Sequence, residues 1–260
     1  MPKRKQRTPW QLVAIFLEEH FRSITGIVLA ALLGATITLG VQWLQDPYRF
    51  PLSVVKVDGA YRHLDRERLQ AAVAPYVEGG FFGVDVASLC REVEQLPWVY
   101  RASVARSWPD GLTLQIEEQQ AVARWGEHGY LNRLGEAFYP EGKAALAHLP
   151  VMSGPSGHEL AVLEKYRRIS TTLAPLGLTV AQVHLDERRA WRLEMSNGIR
   201  LELGRSDTWP RLQRFVLAWP SVFAGRRDEL RQVDLRYSNG FSVFWQPAET
   251  TAANRKNRRG

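Results

Sequence analysis

The run ITGIVLAALLGATITLGVQWL, Ile24 to Leu44, contains no charged residue and constrains the chain more than any other stretch. At 1.5 Å of rise per residue, about 20 such residues cross a hydrocarbon core of about 30 Å, so a transmembrane helix is expected over 24–44. The alternative is a cleaved signal peptide, whose apolar core is about 7 to 15 residues long and ends on small residues. This run is longer and leaves through VQWLQDPY, where Trp43 and Tyr48 suit the aromatic belt of an interface. Lys3, Arg4, Lys5, Arg7 and Arg22 precede it, whereas only Arg49 and Lys56 follow closely. The positive-inside rule therefore predicts a basic cytoplasmic tail over 1–23 and an extracytoplasmic remainder. In a bacterium with two membranes that is a single-pass type II inner-membrane protein with its bulk in the periplasm.

The net charge of +7 invites a nucleic-acid reading until it is located. The residues before Ser23 carry five positive and two negative side chains, and the tail from Gln246 carries four and one, so the body between them is left at +1. A nearly neutral body supplies no basic groove for phosphates, and no nucleic-acid partner is expected. Cys90 is the single cysteine, so the fold must rest on its core. Val86, Leu89, Val93 and Leu96 share a helical face in VASLCREVEQL, which marks Cys90 as a small buried hydrophobe.

The chain after the apolar run reads as two domains, 50–118 and 119–246, of class α+β. LSVVKVDGAY is a strand closed by Asp58-Gly59, and HLDRERLQAAVAPYV is a helix capped by Asp65. Asp85 caps a second helix that carries Cys90. A strand from Trp98 to Trp108, the turn Pro109-Asp110-Gly111 and a return strand alternating Leu112, Leu114 and Ile116 complete a β-α-α-β-β unit. Trp98 and Trp108 are expected to pack in the core or the hairpin. Further on, a helix is expected near Glu159 to Ala174 and another from a cap at Asp207 to Pro220. RLEMSNGIRLEL and DLRYSNGFSVFW each place Asn-Gly between alternating segments, the composition of a tight hairpin. Polar, basic residues 247–260 show no apolar period and are expected to be disordered.

No catalytic constellation emerges. His20, His63, His128, His148, His158 and His184 lack paired-ligand spacing. Ser153 in VMSGPSG lacks the GxSxG context and reads as loop. EGGFFGVD follows a helix where a phosphate-binding loop would follow a strand, and Glu117-Glu118 point to opposite faces of theirs. No catalytic role, cofactor or metal is expected. The remaining reading is a tethered pair of domains that present surfaces, with a final strand able to accept a partner's strand.

FPLSVVKVDG, EQLPWV, RSWPDGLTLQIEEQQAVARW, LELGRSDTWPRLQRFV and VDLRYSNGFSVFW resemble the FtsQ/DivIB family of bacterial cell-division proteins. The resemblance implies a POTRA domain followed by a sheet-rich β domain with flanking helices. It also implies a scaffold of the divisome that recruits the small coiled-coil proteins FtsB and FtsL at the septum, with the POTRA domain and membrane helix meeting other divisome members. By motif it places the partner contact on Arg236, Tyr237, Asn239, Gly240 and Phe241, with Trp245 nearby and Arg188 on the same surface. In this role Gly240 would supply a positive φ at the turn, Tyr237 and Phe241 would bury aromatic area, and Arg188 or Arg236 would meet an acidic side chain. POTRA topology is shared with transport and assembly modules that bind polypeptides, the alternative function.

Overall fold

The computed structural model describes residues 9–44, 46, 48–59, 61–142 and 146–246. The expected disordered tail, 247–260, lies outside them, as do residues 1–8 of the basic tail. Helix α1 (Pro9–Leu44) is longer than the apolar run, because the helix begins well before the charges end. Its segment Thr25–Leu44 is long and apolar enough to cross a membrane.

The described chain divides into two compact units. The first contains the described residues up to Leu96 together with Arg101–Glu117, and the second contains Pro97–Tyr100 and the described residues from Glu118 on. After α1 the first unit runs β1 (Val54–Asp58), α2 (Arg66–Val77), the short α3 (Gly80–Gly83), α4 (Val86–Glu94), β2 (Val99–Ser107) and β3 (Gly111–Glu118). The strands form a sheet of order β1-β3-β2, with β1 parallel to β3. Asp65 accepts from the Glu67 amide and Asp85 from those of Ala87 and Ser88, so both expected caps hold donors that a helix start leaves orphaned. Leu69 and Val73 of α2, Leu89 and Val93 of α4, and Leu112, Leu114 and Ile116 of β3 are buried. The alternation read from β3 thus faces the helices. Cys90 is half-buried beside this core.

Trp98 is buried, as expected, and meets Tyr130 and Phe138 within the second unit. Trp108 is not: it is 83% exposed. The buried positions of β2 lie at its start, Val99 and Ala102, and its last residues, Ala105 to Ser107, are exposed, so Trp108 lies beyond the buried stretch.

The second unit is built on a nine-stranded sheet. Its strands are β4 (Ala123–Trp125), β5 (Gly129–Leu131), β6 (Ala137–Phe138), β7 (Val151–Ser153), β8 (Val180–Leu185), β9 (Trp191–Met195), β10 (Arg200–Gly204), β11 (Leu230–Asp234) and β12 (Ser242–Trp245). Their order is β12-β11-β10-β9-β8-β7-β4-β5-β6. Helix α5 (Glu159–Leu173) lies against β7 and β8, and α6 (Thr208–Ala218) against β10. Val162, Leu163, Ile169 and Leu173 from α5 join Leu212 and Phe215 from α6 in one core with the strands. Ser153, expected in a loop, closes β7 and shares a 2.8 Å hydrogen bond with His184 Nδ1. Asp207 does not cap α6 through its side chain. It adopts φ 52°, ψ 28°, and only its carbonyl joins the helix, accepting from Arg211.

The two Asn-Gly sequences behave differently. At Asn197-Gly198, Gly198 has φ +84° and the Met195 amide donates to Ile199, which makes the expected tight hairpin. At Asn239-Gly240 neither residue has positive φ. Asp234 pairs with Ser242, leaving an open connection from Leu235 to Phe241. Gly240 is therefore not required for its left-handed freedom, and a Cβ there would meet nothing within 4 Å. The connection is held by side chains from elsewhere.

Candidate functional site

Strand β12 is the edge of the large sheet, with β11 on one side and no described strand on the other. An edge leaves alternate N–H and C=O groups without a ladder partner. Along β12, Val243 and Trp245 are half-buried against the core, while Ser242 and Phe244 are exposed, Phe244 by 62%. Trp245 lies 6.1 Å from the Phe223 ring, and the Arg226 guanidinium covers it at 4.4 Å. This packing fixes which face of β12 is inward, so Phe244 projects outward.

The connection into β12 is pinned from α6. Arg214 Nη1 donates to the carbonyls of Tyr237 (3.0 Å) and Gly240 (2.9 Å). Tyr237 is left 57% exposed beside an open concavity of about 350 Å³ lined by residues Tyr237 to Ser242. Asn239 is exposed on the same rim. Phe241, expected as a free anchor, instead packs at 5.3 Å on Phe223 and is half-buried. Truncating it would disturb the core as well as the surface. Arg236 is also engaged: its guanidinium donates to both carboxylate oxygens of Asp234 (from Nε, 2.9 Å to Oδ1 and 3.1 Å to Oδ2; from Nη2, 2.6 Å to Oδ2). That fork holds the Asp234 carboxyl below its ordinary range and raises Arg236. A carboxylate depressed on folding contributes stability above its ordinary pKa and loses it as pH falls through the depressed value. The Asp234–Arg236 bridge is thus expected to be insensitive near neutral pH and to open only in acid below the ordinary carboxylate range. Comparing melts of the native chain and Asp234→Asn from neutral pH into acid checks it: the difference should vanish only in acid.

Arg188 sits in the exposed turn between β8 and β9, next to Arg189 at φ +65°. It lines a second open pocket, of about 640 Å³, with His158, Glu187, Arg189, Trp191 and Arg205. Trp191 begins β9 opposite Gly204 at the end of β10; Glu202 pairs with Asp234, and Asp234 with Ser242. The β8–β9 turn, the segment after β10 and the β11–β12 connection consequently leave the same end of the sheet. From three interstrand steps of about 4.8 Å, the turn and the connection lie roughly 14 Å apart. The structure thus brings Arg188 to the same end as the Arg236–Phe241 stretch without putting them in one pocket. Two residues of this end were not among the expected contacts, Phe244 and Arg214. The alternation of SVFW carried a signal for the first; nothing local signals Arg214, whose acceptors lie 23 and 26 positions away.

A helix long and apolar enough to cross a membrane, a three-stranded unit of POTRA topology and a nine-stranded sheet whose β12 edge has no described strand beyond it define a POTRA-bearing protein. Residues 50–119 match the family model described as POTRA domain, FtsQ-type, and residues 123–236 match that of cell division protein FtsQ/DivIB, C-terminal. The chain is 36% identical to cell division protein FtsQ of Shewanella oneidensis over 209 residues, 80% of this chain and 79% of that one. It is 37% identical to FtsQ of Burkholderia pseudomallei (82% and 87% covered) and 32% identical to FtsQ of Coxiella burnetii (88% and 94%). The chain belongs to the FtsQ/DivIB family of cell division proteins.

Proposed function

We propose that this chain is a non-enzymatic scaffold of the division septum. It is anchored in the bacterial inner membrane by Thr25–Leu44 with its N terminus in the cytoplasm, and it recruits FtsB and FtsL through their periplasmic segments. The observation that carries the proposal is the edge of β12, which has no described strand beyond it, with Tyr237 and Phe244 exposed beside it. A partner strand laid along β12 takes up the unpaired backbone groups, and the aromatic pair supplies side-chain anchors. Asn239 and Gly240 line the rim, Phe241 and Trp245 hold the edge from behind, and Arg188 with its neighbours Arg189 and Arg205 offers cationic groups to an acidic stretch of the partner. Arg236 contributes by steadying Asp234 at the point where β11 ends.

Calorimetric titration with the periplasmic parts of FtsB and FtsL tests the proposal. The native chain should saturate, and Tyr237→Ala should weaken binding by about 30-fold, the loss of an anchor worth about 2 kcal/mol, with an unchanged melting temperature. Equal affinity of the two chains would remove this edge from the interface. Binding of unfolded outer-membrane polypeptides in place of FtsB and FtsL would favour the transport-module function. Arg214→Ala should also weaken binding, by about 5- to 13-fold, since a lost pair of hydrogen bonds of about 1–1.5 kcal/mol loosens the connection. Its effect should disappear in a chain that already carries Tyr237→Ala.

A further inference from the structure

Three stretches distant in sequence meet at the end of the first unit where α1 enters. The amides of Ser53 and Val54 donate to the Asp110 carbonyl, at 3.0 and 3.5 Å. The Phe81 amide donates to Phe50 (2.9 Å), and the Arg106 guanidinium donates to the carbonyls of Phe81 (3.2 Å) and Val84 (2.8 Å). These bonds tie the segment after α1, the α3 turn and the β2–β3 turn into one platform. Because β1 runs parallel to β3 with Val54 opposite Gly111, both strands start from it.

The platform presents aromatic rings to its surroundings. Tyr48 is 95% exposed, Trp108 83% and Phe82 40%, and Trp43 in the last turn of α1 is 49% exposed. Edge-to-face contacts run from Trp43 to Phe50 at 5.5 Å, from Phe50 to Phe82 at 5.2 Å and from Phe82 to Phe81 at 5.1 Å. The Arg49 guanidinium lies 5.4 Å from the Trp43 ring and bonds Asp46. Neither the core of the unit nor the β12 edge makes use of Tyr48 or Trp108, and Phe82 keeps 40% of its surface exposed beside its contacts with Phe50 and Phe81.

We propose that this end of the POTRA domain is a foot that rests in the headgroup layer of the bilayer α1 crosses, with Tyr48, Phe82 and Trp108 entering the interface. The inference rests on the reading of α1 as a membrane span. Lipid is the occupant because of where the rings are held. Trp43 ends the span, touches Phe50, and Phe50 is bonded to α3, so the platform cannot move far from the membrane surface. Trp, Tyr and Phe are also the side chains that partition into that layer, with an apolar body and, for Trp and Tyr, a polar handle. A foot of this kind fixes the orientation of the sheet relative to the membrane.

The full chain with Cys90→Ala, reconstituted in phosphatidylethanolamine and phosphatidylglycerol vesicles, carries one nitroxide at a time for the test. The positions are Gly83→Cys and Ser107→Cys, which leave the aromatic residues in place. Leu33→Cys serves as the span control and Arg66→Cys, at the start of α2, as the water control. A Cβ at Gly83 meets nothing within 4 Å. Labels at 83 and 107 should collide more with oxygen than with a nickel chelate, between the values at 33 and 66, and should lose that preference when Phe82→Ser and Trp108→Ser are added. If positions 83 and 107 behave like 66 while 33 stays oxygen-rich, the foot is wrong and the span stands. Nickel access at 33 would overturn the span and the foot together. Protection of 83 and 107 from both reagents would mean a protein contact in place of lipid and would also overturn the proposal.

Discussion

Phe223→Ala is expected to destabilise the second unit by about 3–5 kcal/mol, the cost of truncating a fully buried aromatic residue. Phe223 is completely buried and lies 5.3 Å from Phe215, 6.0 Å from Trp219, 5.3 Å from Phe241 and 6.1 Å from Trp245. Two of those neighbours belong to α6 and its continuation, and two belong to β12 and the connection before it. The ring is therefore the post on which the edge strand is seated, and its loss removes contacts on both sides at once. The expected result by calorimetry of the full chain is a large fall in the transition of the second unit with that of the first unit unmoved. Affinity for the FtsB and FtsL segments should fall with it, because an unseated β12 no longer presents a straight edge. A shift of only a degree or two would show that Trp219 and Trp245 collapse into the space, and that β12 is held by its ladder with β11 alone.

The aromatic post also shows where sequence reading runs out. Pro220 reads as the end of α6, since proline lacks the amide that continues a helix. The α-helix does end there, at Ala218, but the chain keeps winding through a wider turn, Trp219–Phe223, in which the Ala224 amide reaches back to the Trp219 carbonyl. Proline at the second position of such a turn owes no hydrogen bond, and the turn delivers Phe223 inward. The caps at Asp65 and Asp85, the alternation of β3 and the Asn197-Gly198 hairpin were legible because each depends on residues a few positions apart. The second Asn-Gly has the same letters and a different outcome, because Arg214 and Phe223, remote in sequence, hold the connection in an open shape. Trp108 failed for a related reason: local pattern says that an aromatic residue on a strand packs, but whether the buried face extends that far is decided by elements remote in sequence, and β2 is buried only at its start. The candidate edge was legible as the last alternating segment of the chain. Which of its residues face out was not, and the structure moves Phe241 inward and Phe244 outward.

The complementary prediction concerns the first unit. Gly59 follows β1 with φ +142°, and a Cβ built on it would lie 2.4 Å from the backbone carbonyl oxygen of Ile116. Ile116 belongs to the central strand, is buried, and has no rotamer change that could move its carbonyl away. Gly59→Ala thus combines a backbone conformation costing about 1–3 kcal/mol for an L side chain with an overpacking cost of about 1–3 kcal/mol. A total of about 2–6 kcal/mol is a large share of what a small domain possesses. The sheet is expected to respond by releasing β1, which is an edge strand and the element joined to α1. Calorimetry should show the transition of the first unit lowered or lost with that of the second unit unchanged, the reverse of Phe223→Ala. Titration should then separate the two surfaces: FtsB and FtsL segments should bind the Gly59→Ala chain with native affinity, since β12 and the residues that seat it all belong to the second unit. If Gly59→Ala weakens that binding as strongly as Tyr237→Ala does, the POTRA domain carries part of the same interface, and the open edge of β12 is not sufficient for recruitment.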